Sequence, residues 1–291
     1  MKICSACGLN YPSCEMLCST CGRAPYKAGG FISFAPELAG AQEGFKAEFY
    51  KEYTHLEASH FWFRARAKLI TWALAKYSPG FKSFFEVGCG TGYILSRLAT
   101  VFPDSKLMGS EIFTEGLSFT AARLPNAELI QMDARNIPFV GEFDAIGAFD
   151  VLEHIEDDRT VLMEMHRALK KGGIVLLTVP QHAWLWSSVD EYSCHVRRYS
   201  ADEIHKKLQD AGFSILRSTS FVAILLPVMM LSRMAKRRGS NDIGSTAELN
   251  VPTIINKLSY ILMKIECIFI KFGGSIPFGG SRLVVARKST E

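Results

Sequence analysis

The sequence predicts an α/β fold with a seven-stranded, doubly wound and mostly parallel sheet. The first observation is an apolar run at 83–87 that leads directly into three alternating glycines and then into a helical pattern. The second is a regular alternation of strand-like and helical segments between residues 81 and 220. Such alternation is typical of parallel strands joined by right-handed helical crossovers. The third is a final strand-like run at 281–287, which follows a long insert.

The composition is that of a folded protein, with 48% hydrophobic residues and a formal net charge of +4. This mild positive charge does not by itself indicate binding to nucleic acid. The first residues, Met1 to Ser5, lack the apolar core of a signal peptide. We therefore expect a cytoplasmic protein, in which paired cysteines are metal ligands rather than disulfides.

Two Cys-x-x-Cys-Gly motifs lie close to the N-terminus and predict a metal site. Cys4, Cys7, Cys18 and Cys21 supply four thiolates, and the glycine after each pair permits the tight turn that such a site needs. Because four thiolates close a tetrahedral coordination sphere, we expect a structural Zn²⁺ ion. The alternative is a set of reduced thiols without metal. Cys14 lies between the motifs and lacks the paired spacing.

The chain divides into five predicted segments. These are a zinc ribbon at 1–30, a linker and aromatic-rich helical lid at 31–80, the α/β core at 81–220, an apolar and amphipathic helical insert at 221–280, and the last strand with the tail at 281–291. Aromatic residues of the lid are either core residues or a cover over the glycine turn, from which an arginine reaches an anionic ligand group.

Acidic residues stand at the ends of three predicted strands. Glu86 precedes the glycine turn at 88–92, Glu111 ends the second strand, and Asp133 ends the third. An acidic side chain about 20 residues beyond such a turn is placed to accept hydrogen bonds from ribose hydroxyls. The turn has neither the lysine of a phosphate-binding loop nor the glycine spacing of a dinucleotide fingerprint. The pattern therefore favours a nucleoside-containing cofactor of another kind.

These motifs resemble those of class I S-adenosylmethionine-dependent methyltransferases of the Rossmann-like type. The resemblance covers about residues 80–180 and is carried by Glu86-Val87-Gly88-Cys89-Gly90-Thr91-Gly92, Glu111, Asp133, Phe143-Asp144, Val151-Leu152-Glu153-His154-Ile155 and Lys171-Gly172-Gly173. A wider pattern at 60–66 and 190–200 looks like bacterial small-molecule methyltransferases, whose members often occur near cell-surface glycan or lipid-linked pathways. In this fold the last strand inserts antiparallel beside the sixth.

The resemblance implies that S-adenosylmethionine is the cofactor. It assigns the ribose hydroxyls to Glu111, the adenine amino group to Asp133, and the cofactor carboxylate to Arg66 or Arg64. The full set of implied cofactor-binding residues is Glu86, Gly88, Cys89, Gly90, Glu111, Ile112, Asp133, Ala134, Phe149, Asp150 and Arg66.

Methyl transfer needs alignment above all, and a hydroxyl acceptor also needs a general base. His154 is the first candidate and His195 the second, because histidine titrates near neutral pH. His154 alternatively packs beside the cofactor or, together with Glu153, holds a divalent metal. The candidate acceptor-side residues are Trp62, Arg64, Trp184, Tyr192 and Arg198.

The insert has two apolar segments. Residues 221–231 are strongly apolar but too short to span a bilayer as a helix. A second segment, 254–272, has the period of an amphipathic helix with a basic edge. Lysines recur there at every seventh position, as Lys257, Lys264 and Lys271. Two interpretations remain: 221–272 lies on a membrane surface, which makes the protein peripheral on the inner face of the membrane, or it packs on the domain or in a homodimer.

The predicted function is therefore methyl transfer from S-adenosylmethionine to a small-molecule or lipid-linked acceptor, such as a glycan or isoprenoid intermediate. One alternative is an RNA methyltransferase whose zinc ribbon grips the substrate. Against it, strand four is followed by residues 149–152 instead of an Asn-Pro-Pro-Tyr-type motif, and the ribbon is not especially basic, so we do not expect nucleic acid. A non-catalytic scaffold is the second alternative, but it predicts a broken cofactor site.

Overall fold

The computed structural model describes residues 1–4, 6–13, 15, 17–40, 47–236 and 251–289. The strands are β1 (Lys2–Ile3), β2 (Asn10–Tyr11), β3 (Tyr26–Ala28), β4 (Phe31–Ser33), β5 (Ser83–Val87), β6 (Lys106–Glu111), β7 (Glu128–Gln131), β8 (Phe143–Phe149), β9 (Leu169–Pro180), β10 (Phe213–Phe221) and β11 (Ser281–Lys288). The helices are α1 (Ala47–Leu56), α2 (Phe61–Tyr77), α3 (Tyr93–Val101), α4 (Thr114–Arg123), α5 (Asp158–Ala168), α6 (Ser188–Tyr192), α7 (Ala201–Asp210), α8 (Leu226–Lys236) and α9 (Thr253–Lys271).

The main sheet has the strand order β10-β11-β9-β8-β5-β6-β7-β4-β3. Strands β5 to β9 pair in parallel, and β11 is antiparallel to both of its neighbours, β9 and β10. The predicted class I arrangement of seven strands is therefore confirmed. The chain order reverses between β5 and β8, so the carboxyl ends of these two strands form the switch point at which open α/β sheets bind ligands.

Two short strands lie where the sequence predicts the end of the zinc ribbon, 1–30, and the start of the linker, 31–80. Strand β4 pairs in parallel with β7, and β3 pairs antiparallel with β4. The Ser33 hydroxyl donates to the Gln131 side-chain oxygen at 2.6 Å, which fixes the hairpin to the core. Among the described residues, the sheet consequently consists of the seven predicted strands and this two-stranded hairpin at the edge of β7.

Helices cover both faces of the sheet. Helices α2, α3 and α9 pack with Phe84, Ala145 and Leu176 on one face, and α5 and α7 pack with Phe85 and Ile146 on the other. Phe84 and Phe85 are both fully buried, since successive residues of a strand point to opposite faces. The two layers hold the strand ends of the switch point in place.

The insert forms α8 and α9 in its described part. Glu266 of α9 is buried, and its carboxylate accepts the backbone N–H groups of Val222, Ala223 and Ile224 at 2.6–3.0 Å. Asn256 accepts the Phe61 N–H at 2.7 Å, so α9 is fixed to the start of α2 as well. None of the described helices combines the length and hydropathy that crossing a bilayer needs.

The cysteine-rich N-terminus is attached to the segment that precedes β8. The Ile3 N–H donates to the Pro138 carbonyl, and the Val140 N–H donates to the Met1 carbonyl, each at 3.0 Å. Residues 138–140 precede β8, whose opposite end lies at the switch point. At its other end the ribbon leads into β3, whose first residue, Tyr26, pairs with Ser33 at the carboxyl end of β4.

Candidate functional site

The glycine turn after β5 follows the predicted conformation. Gly88 and Gly90 have φ values of 69° and 54°, a region that favours glycine. A Cβ at Gly88 would lie 2.6 Å from a methyl carbon of Val151, whereas nothing lies within 4 Å of the same position at Gly90. The turn therefore packs closely against the end of β8 at Gly88 and opens into free space at Gly90.

Glu111 is bound to this turn through backbone hydrogen bonds. Its carboxylate accepts the Gly90 N–H at 2.9 Å and the Ile112 N–H at 2.8 Å. Burial raises the pKa of Glu111, and the two N–H donors act in the opposite direction. Tyr50 and Glu111 both approach Gly116, where a Cβ would lie about 3 Å from each side chain. The end of β6, the glycine turn and α1 thus meet at one carboxylate.

Asp133 follows β7 and lies beside Glu111 in the sheet, because the Met132 N–H donates to the Glu111 carbonyl at 3.1 Å. Arg135 binds both oxygens of the Asp133 carboxylate, through Nε at 3.0–3.1 Å and through a terminal nitrogen at 2.6 Å. This arginine was not among the predicted site residues. It leaves Asp133 as an acceptor that already has one charged partner.

We call the region at the switch point that is bounded by the glycine turn, Glu111, Asp133, Glu86 and the Arg66–Asp150 pair the hollow. Glu86 is 2% exposed, and its Oε2 has no hydrogen-bond partner among the described residues. Burial raises its pKa well above the ordinary value, although the nearby charge of Arg66 lowers it. Arg66 makes an ion pair with Asp150, which also accepts the Thr178 hydroxyl at 3.0 Å. The cofactor carboxylate that the sequence assigns to Arg66 would therefore share this guanidinium with Asp150.

A second cluster lies beyond the end of β8. One ligand atom from each of Glu153, His154 and His195 lies within 4.8 Å of the others. The buried carboxylate of Asp190 contacts His195 Nδ1 at 2.9 Å and accepts Nε of Arg198 at 2.7 Å. The structure thus brings together the two histidines that are candidates on sequence grounds, and Asp190 holds one of them, His195.

The residues of this cluster differ in the direction of their pKa shifts. Burial, together with the neighbouring His195, lowers the pKa of His154 to about 3, so its imidazole is neutral at pH 7. Burial and Asp150 raise the pKa of Glu153 well above its usual value. Burial would raise the pKa of Asp190 too, but His195 and Arg198 outweigh it and lower that pKa. These shifts favour the ionised form of Asp190 and the protonated form of Glu153.

Comparison with known proteins agrees with this geometry. The sequence profile of a protein family described as Methyltransferase domain matches residues 85–177, which run from β5 to β9. Residues 85–177 are a methyltransferase domain. The fold around this domain is that of class I methyltransferases.

Curated relatives of the methyltransferase domain carry related names. A protein of Mycolicibacterium smegmatis named "Probable S-adenosylmethionine-dependent methyltransferase" is 26% identical over 55% of this chain and 62% of its own length. An O-methyltransferase of Penicillium expansum is 26% identical over 62% of this chain and 70% of its own length. The chain spans less than two thirds of the first of these relatives.

Two solved structures share the fold of the methyltransferase domain. Phosphoethanolamine N-methyltransferase 2 of Haemonchus contortus, in complex with S-adenosyl-L-methionine, has a TM-score of 0.56 at 19% identity and covers 89% of this chain and 61% of that one. The cyclase SpnF has a TM-score of 0.51 at 22% identity over 76% of this chain and 81% of that one. At these identities the likeness concerns the fold.

The predicted acceptor-side residues differ in their exposure and in their contacts. Trp62 stacks on the Arg66 guanidinium at 4.2 Å, and Trp184 is half exposed beside His182. Arg198 is almost buried and is occupied by Asp190 and the Gln181 carbonyl, so it braces the loop from within. Tyr192 ends α6 and is half-buried.

Arg64 lies away from the hollow that Arg66 faces, and its guanidinium stacks on the Tyr260 ring of α9 at 3.8 Å. On sequence grounds these two arginines are alternatives for binding the cofactor carboxylate. Residues two apart on a helix point in nearly opposite directions, which explains the difference. Among the other predicted cofactor residues, Cys89 and Phe149 are buried in the core, whereas Ile112 and Ala134 are half-buried beside the strand ends.

A latch that sequence analysis missed joins the lid to the methyltransferase domain. Glu57, beyond the end of α1, accepts the Thr91 hydroxyl at 2.5 Å and a guanidinium nitrogen of Arg123 at 2.9 Å. Thr91 belongs to the glycine turn itself. Glu57 is one of several acidic residues of the lid, among them Glu37 and Glu52, so no local signal distinguishes it, and its partner could not be predicted from spacing.

The four predicted zinc ligands converge. Sulfur separations of 3.6 Å between Cys4 and Cys21 and of 3.7 Å between Cys7 and Cys18 fit a tetrahedral ion, whose thiolates lie about 3.8 Å apart when each is about 2.3 Å from zinc. All four sulfurs lie within 4.8 Å of one another. Cys14 lies outside the described residues.

Proposed function

We propose that this protein transfers a methyl group from S-adenosylmethionine to a small-molecule or lipid-linked acceptor. The observation that carries the proposal is the hydrogen bond from the Gly90 N–H to the Glu111 carboxylate at the switch point of a methyltransferase domain. It joins the glycine turn to the acid that would bind the ribose. The curated relatives support the same donor, since S-adenosylmethionine is in the name of the first of them.

The residues of the hollow fit this cofactor. Glu86 Oε2 is a buried acceptor without a partner among the described residues, which suits the cofactor's amino group. The free space at Gly90 admits a ligand directly against the backbone. Glu111 would bind the ribose, Asp133 the adenine amino group, and Arg66 the carboxylate. When bound, S-adenosylmethionine supplies a methyl group that its sulfonium makes electrophilic.

His195 is the residue best placed to take a proton from an acceptor hydroxyl. Asp190 holds His195 Nδ1 at 2.9 Å, which fixes the ring and leaves Nε2 as the proton acceptor. His154 has a pKa near 3 and stands 4.8 Å from the His195 ring, so it serves as a neutral wall of the site. Of the two histidines that the sequence names, the proposal therefore assigns the base to His195.

Aromatic side chains frame the acceptor side. His182 stacks on Trp184 at 5.1 Å and on Phe278 at 5.8 Å, and Trp184 and Phe278 are both more than half exposed. Such a rim suits an acceptor with an apolar portion. One relative is named for such an acceptor. It is the demethylmenaquinone methyltransferase of Chlorobaculum parvum, which is 29% identical over 33% of this chain and 39% of its own length.

The N-terminal ribbon is proposed to hold one structural Zn²⁺ through Cys4, Cys7, Cys18 and Cys21. The ribbon is attached to the core at both ends, through the Ile3 N–H to the Pro138 carbonyl and through the pairing of Tyr26 with Ser33. Because four thiolates leave no open coordination position, the ion would have a structural role.

The decisive experiment incubates the zinc-loaded full chain with cofactor labelled in its methyl group. Separate samples receive a small-molecule extract, a lipid extract or RNA. We expect label in a small-molecule or lipid product, at least a 100-fold lower rate in His195→Asn, and unchanged cofactor affinity in that variant. His55→Asn, at an exposed position on α1, is the matched control. Absence of cofactor binding in calorimetry, or label in RNA alone, would overturn the proposal.

A further inference from the structure

Helix α9 has a broad apolar face that no described part of the protein covers. Leu258, Ile261, Ile265, Ile268 and Phe269 are each at least 50% exposed. They lie opposite the buried face of α9, which packs on α2 and the sheet through residues such as Met263 and Ile270. A contiguous apolar surface of this kind is unusual on a monomer and indicates a contact with a partner or a membrane.

Helix α8 adds to the apolar character of this region. Val228 and Leu231 are 64% and 67% exposed, and Phe272, directly after α9, is 90% exposed. The segment that leads into α8 is held against α9, because Glu266 accepts the N–H groups of residues 222–224. We call the exposed apolar residues of α8 and α9 together the α8–α9 face.

A basic cavity of about 330 Å³ lies between α2, α3 and α9. Its described lining includes Arg64, Lys68 and Arg97 together with Tyr93 and Tyr260, and none of these described residues carries a carboxylate. Burial would raise the pKa of Tyr260, but its hydrogen bond to Lys68 and the charges of nearby cations lower it. The cavity is therefore strongly positive and suits an anion such as a phosphate.

The cavity and the apolar face border each other along α9. Lys257, Lys264 and Lys271 follow one another at intervals of seven residues, so they form a row on the helix surface. On the helical wheel this row lies between Tyr260, which lines the cavity, and Ile261, which belongs to the α8–α9 face. An apolar face with a row of lysines and a cationic cavity at its edge is typical of helices that lie in a membrane interface.

We infer that the α8–α9 face docks on an anionic phospholipid bilayer and that the cavity lined by Arg64, Lys68 and Arg97 receives a lipid phosphate. Charge complementarity favours this occupant over a second copy of the chain. The only acidic residue within the sequences of α8 and α9 is Glu266, and it is buried and occupied by backbone N–H groups. Two copies would therefore bring basic edges together without carboxylates on either helix to neutralise them.

Docking in this orientation gives the acceptor rim access to lipid. The loop from Phe272 to Gly280 connects α9 to the start of β11, and Ser281 pairs with Pro180 at the carboxyl edge of the sheet. Phe278 in this loop is 62% exposed and stacks on His182 of the rim. The membrane contact stands on the surface alone and does not depend on the proposed methyl transfer.

The test is flotation of the zinc-loaded full chain with vesicles of phosphatidylcholine, with or without phosphatidylglycerol. We expect binding that requires phosphatidylglycerol and weakens as salt increases. Lys68→Gln with Arg97→Gln should lower the partition coefficient by about 25-fold, since each cation near an anionic surface contributes about fivefold. Ile261→Ser with Ile265→Ser should abolish binding.

Matched controls lie on the other face of the sheet. Lys206→Gln with Met163→Ser removes an exposed lysine of α7 and an exposed apolar residue of α5, and it should leave partitioning unchanged. Circular dichroism verifies that each variant is folded. Equal partitioning of wild type and variants would overturn the inference. A dimer in sedimentation that Ile261→Ser with Ile265→Ser dissociates would also overturn it. So would vesicle binding that does not depend on lipid charge but is inhibited by millimolar inorganic phosphate.

Discussion

Arg66 of α2 and Asp150 at the end of β8 form a largely buried ion pair across 84 positions of sequence. Asp150 has a positive φ of 59°, and the Arg66 guanidinium also stacks on Trp62. The pair connects the helical lid to the switch point of the sheet. It therefore couples the position of the lid to the residues that would contact the methionine portion of a cofactor.

Breaking this pair from one side should destabilise the fold strongly. Arg66→Met leaves the Asp150 carboxylate with the Thr178 hydroxyl and no cation, and we expect a loss of about 3–5 kcal/mol in the free energy of unfolding. Urea denaturation measures the loss. The double variant Arg66→Met with Asp150→Asn should lose less than the sum of the single variants. Arg159→Met, at an exposed ion pair with Asp210, is the control and should lose at most about 1 kcal/mol.

Glu111→Gln should weaken cofactor binding while the fold is retained. The carboxylate accepts two backbone N–H groups and would accept the ribose hydroxyls as well, so we expect a loss of about 1–3 kcal/mol in binding free energy. Calorimetry with S-adenosylmethionine measures it. Glu115→Gln changes an exposed acid on the neighbouring helix turn and should leave affinity nearly unchanged. Equal affinity of the two variants would contradict the ribose assignment.

His154 should make the folded state sensitive to mild acid. Its pKa falls to about 3 from an ordinary value of 6.5, so the unfolded chain binds a proton below pH 6.5 that the folded chain does not. Stability from this group is complete above pH 6.5 and is lost as the pH falls towards 3, by up to about 1.4 kcal/mol per pH unit. His154→Asn should flatten the stability profile between pH 6 and pH 4, as chemical denaturation at about five pH values would measure. A slope as steep as that of wild type would show that the imidazole is not the source; His55→Asn is the exposed control.

Zinc removal should unfold the ribbon and spare the hollow. Cys21→Ser should abolish the single equivalent of zinc measured by elemental analysis and lower the thermal midpoint of the ribbon transition, because a segment this small has little core of its own. Cofactor affinity should change less than about threefold, since none of the predicted cofactor-binding residues belongs to the ribbon and a four-thiolate site is structural rather than catalytic. Cys194→Ser, outside the ribbon, should keep its zinc. A large loss of cofactor affinity in Cys21→Ser alone would contradict the structural role.

The central strands could be predicted because their signals are local. Each of β5, β6 and β7 is an apolar run that ends beside a glycine or an acid, and parallel strands present those ends at one edge. Strands β3 and β4 have three residues each, so their existence depends on the free edge of β7 rather than on their own pattern. From sequence alone, a segment rich in glycine and proline is predicted to be a linker. Only the structure shows that the edge of β7 is free to pair with it.

The contacts of the site were harder to predict than its residues. Glu111 and the two histidines were identified from motifs, but their partners come from other parts of the chain. Asp190 reaches His195 through a turn in which Cys194 has a φ of 57°, and no spacing rule indicates that conformation. Arg135 is a neighbour of Asp133 in sequence, yet the spacing alone does not indicate that its exposed guanidinium binds this carboxylate.

The hairpin of β3 and β4 seals the outer margin of the sheet, where β7 would otherwise present unpaired backbone groups to solvent. Deleting residues 1–40 would expose the edge of β7 and favour intermolecular strand addition, although the methyltransferase domain itself is unchanged. Shortened chains that begin at the lid should therefore precipitate, and soluble expression should return when residues 23–40 are restored without the cysteines.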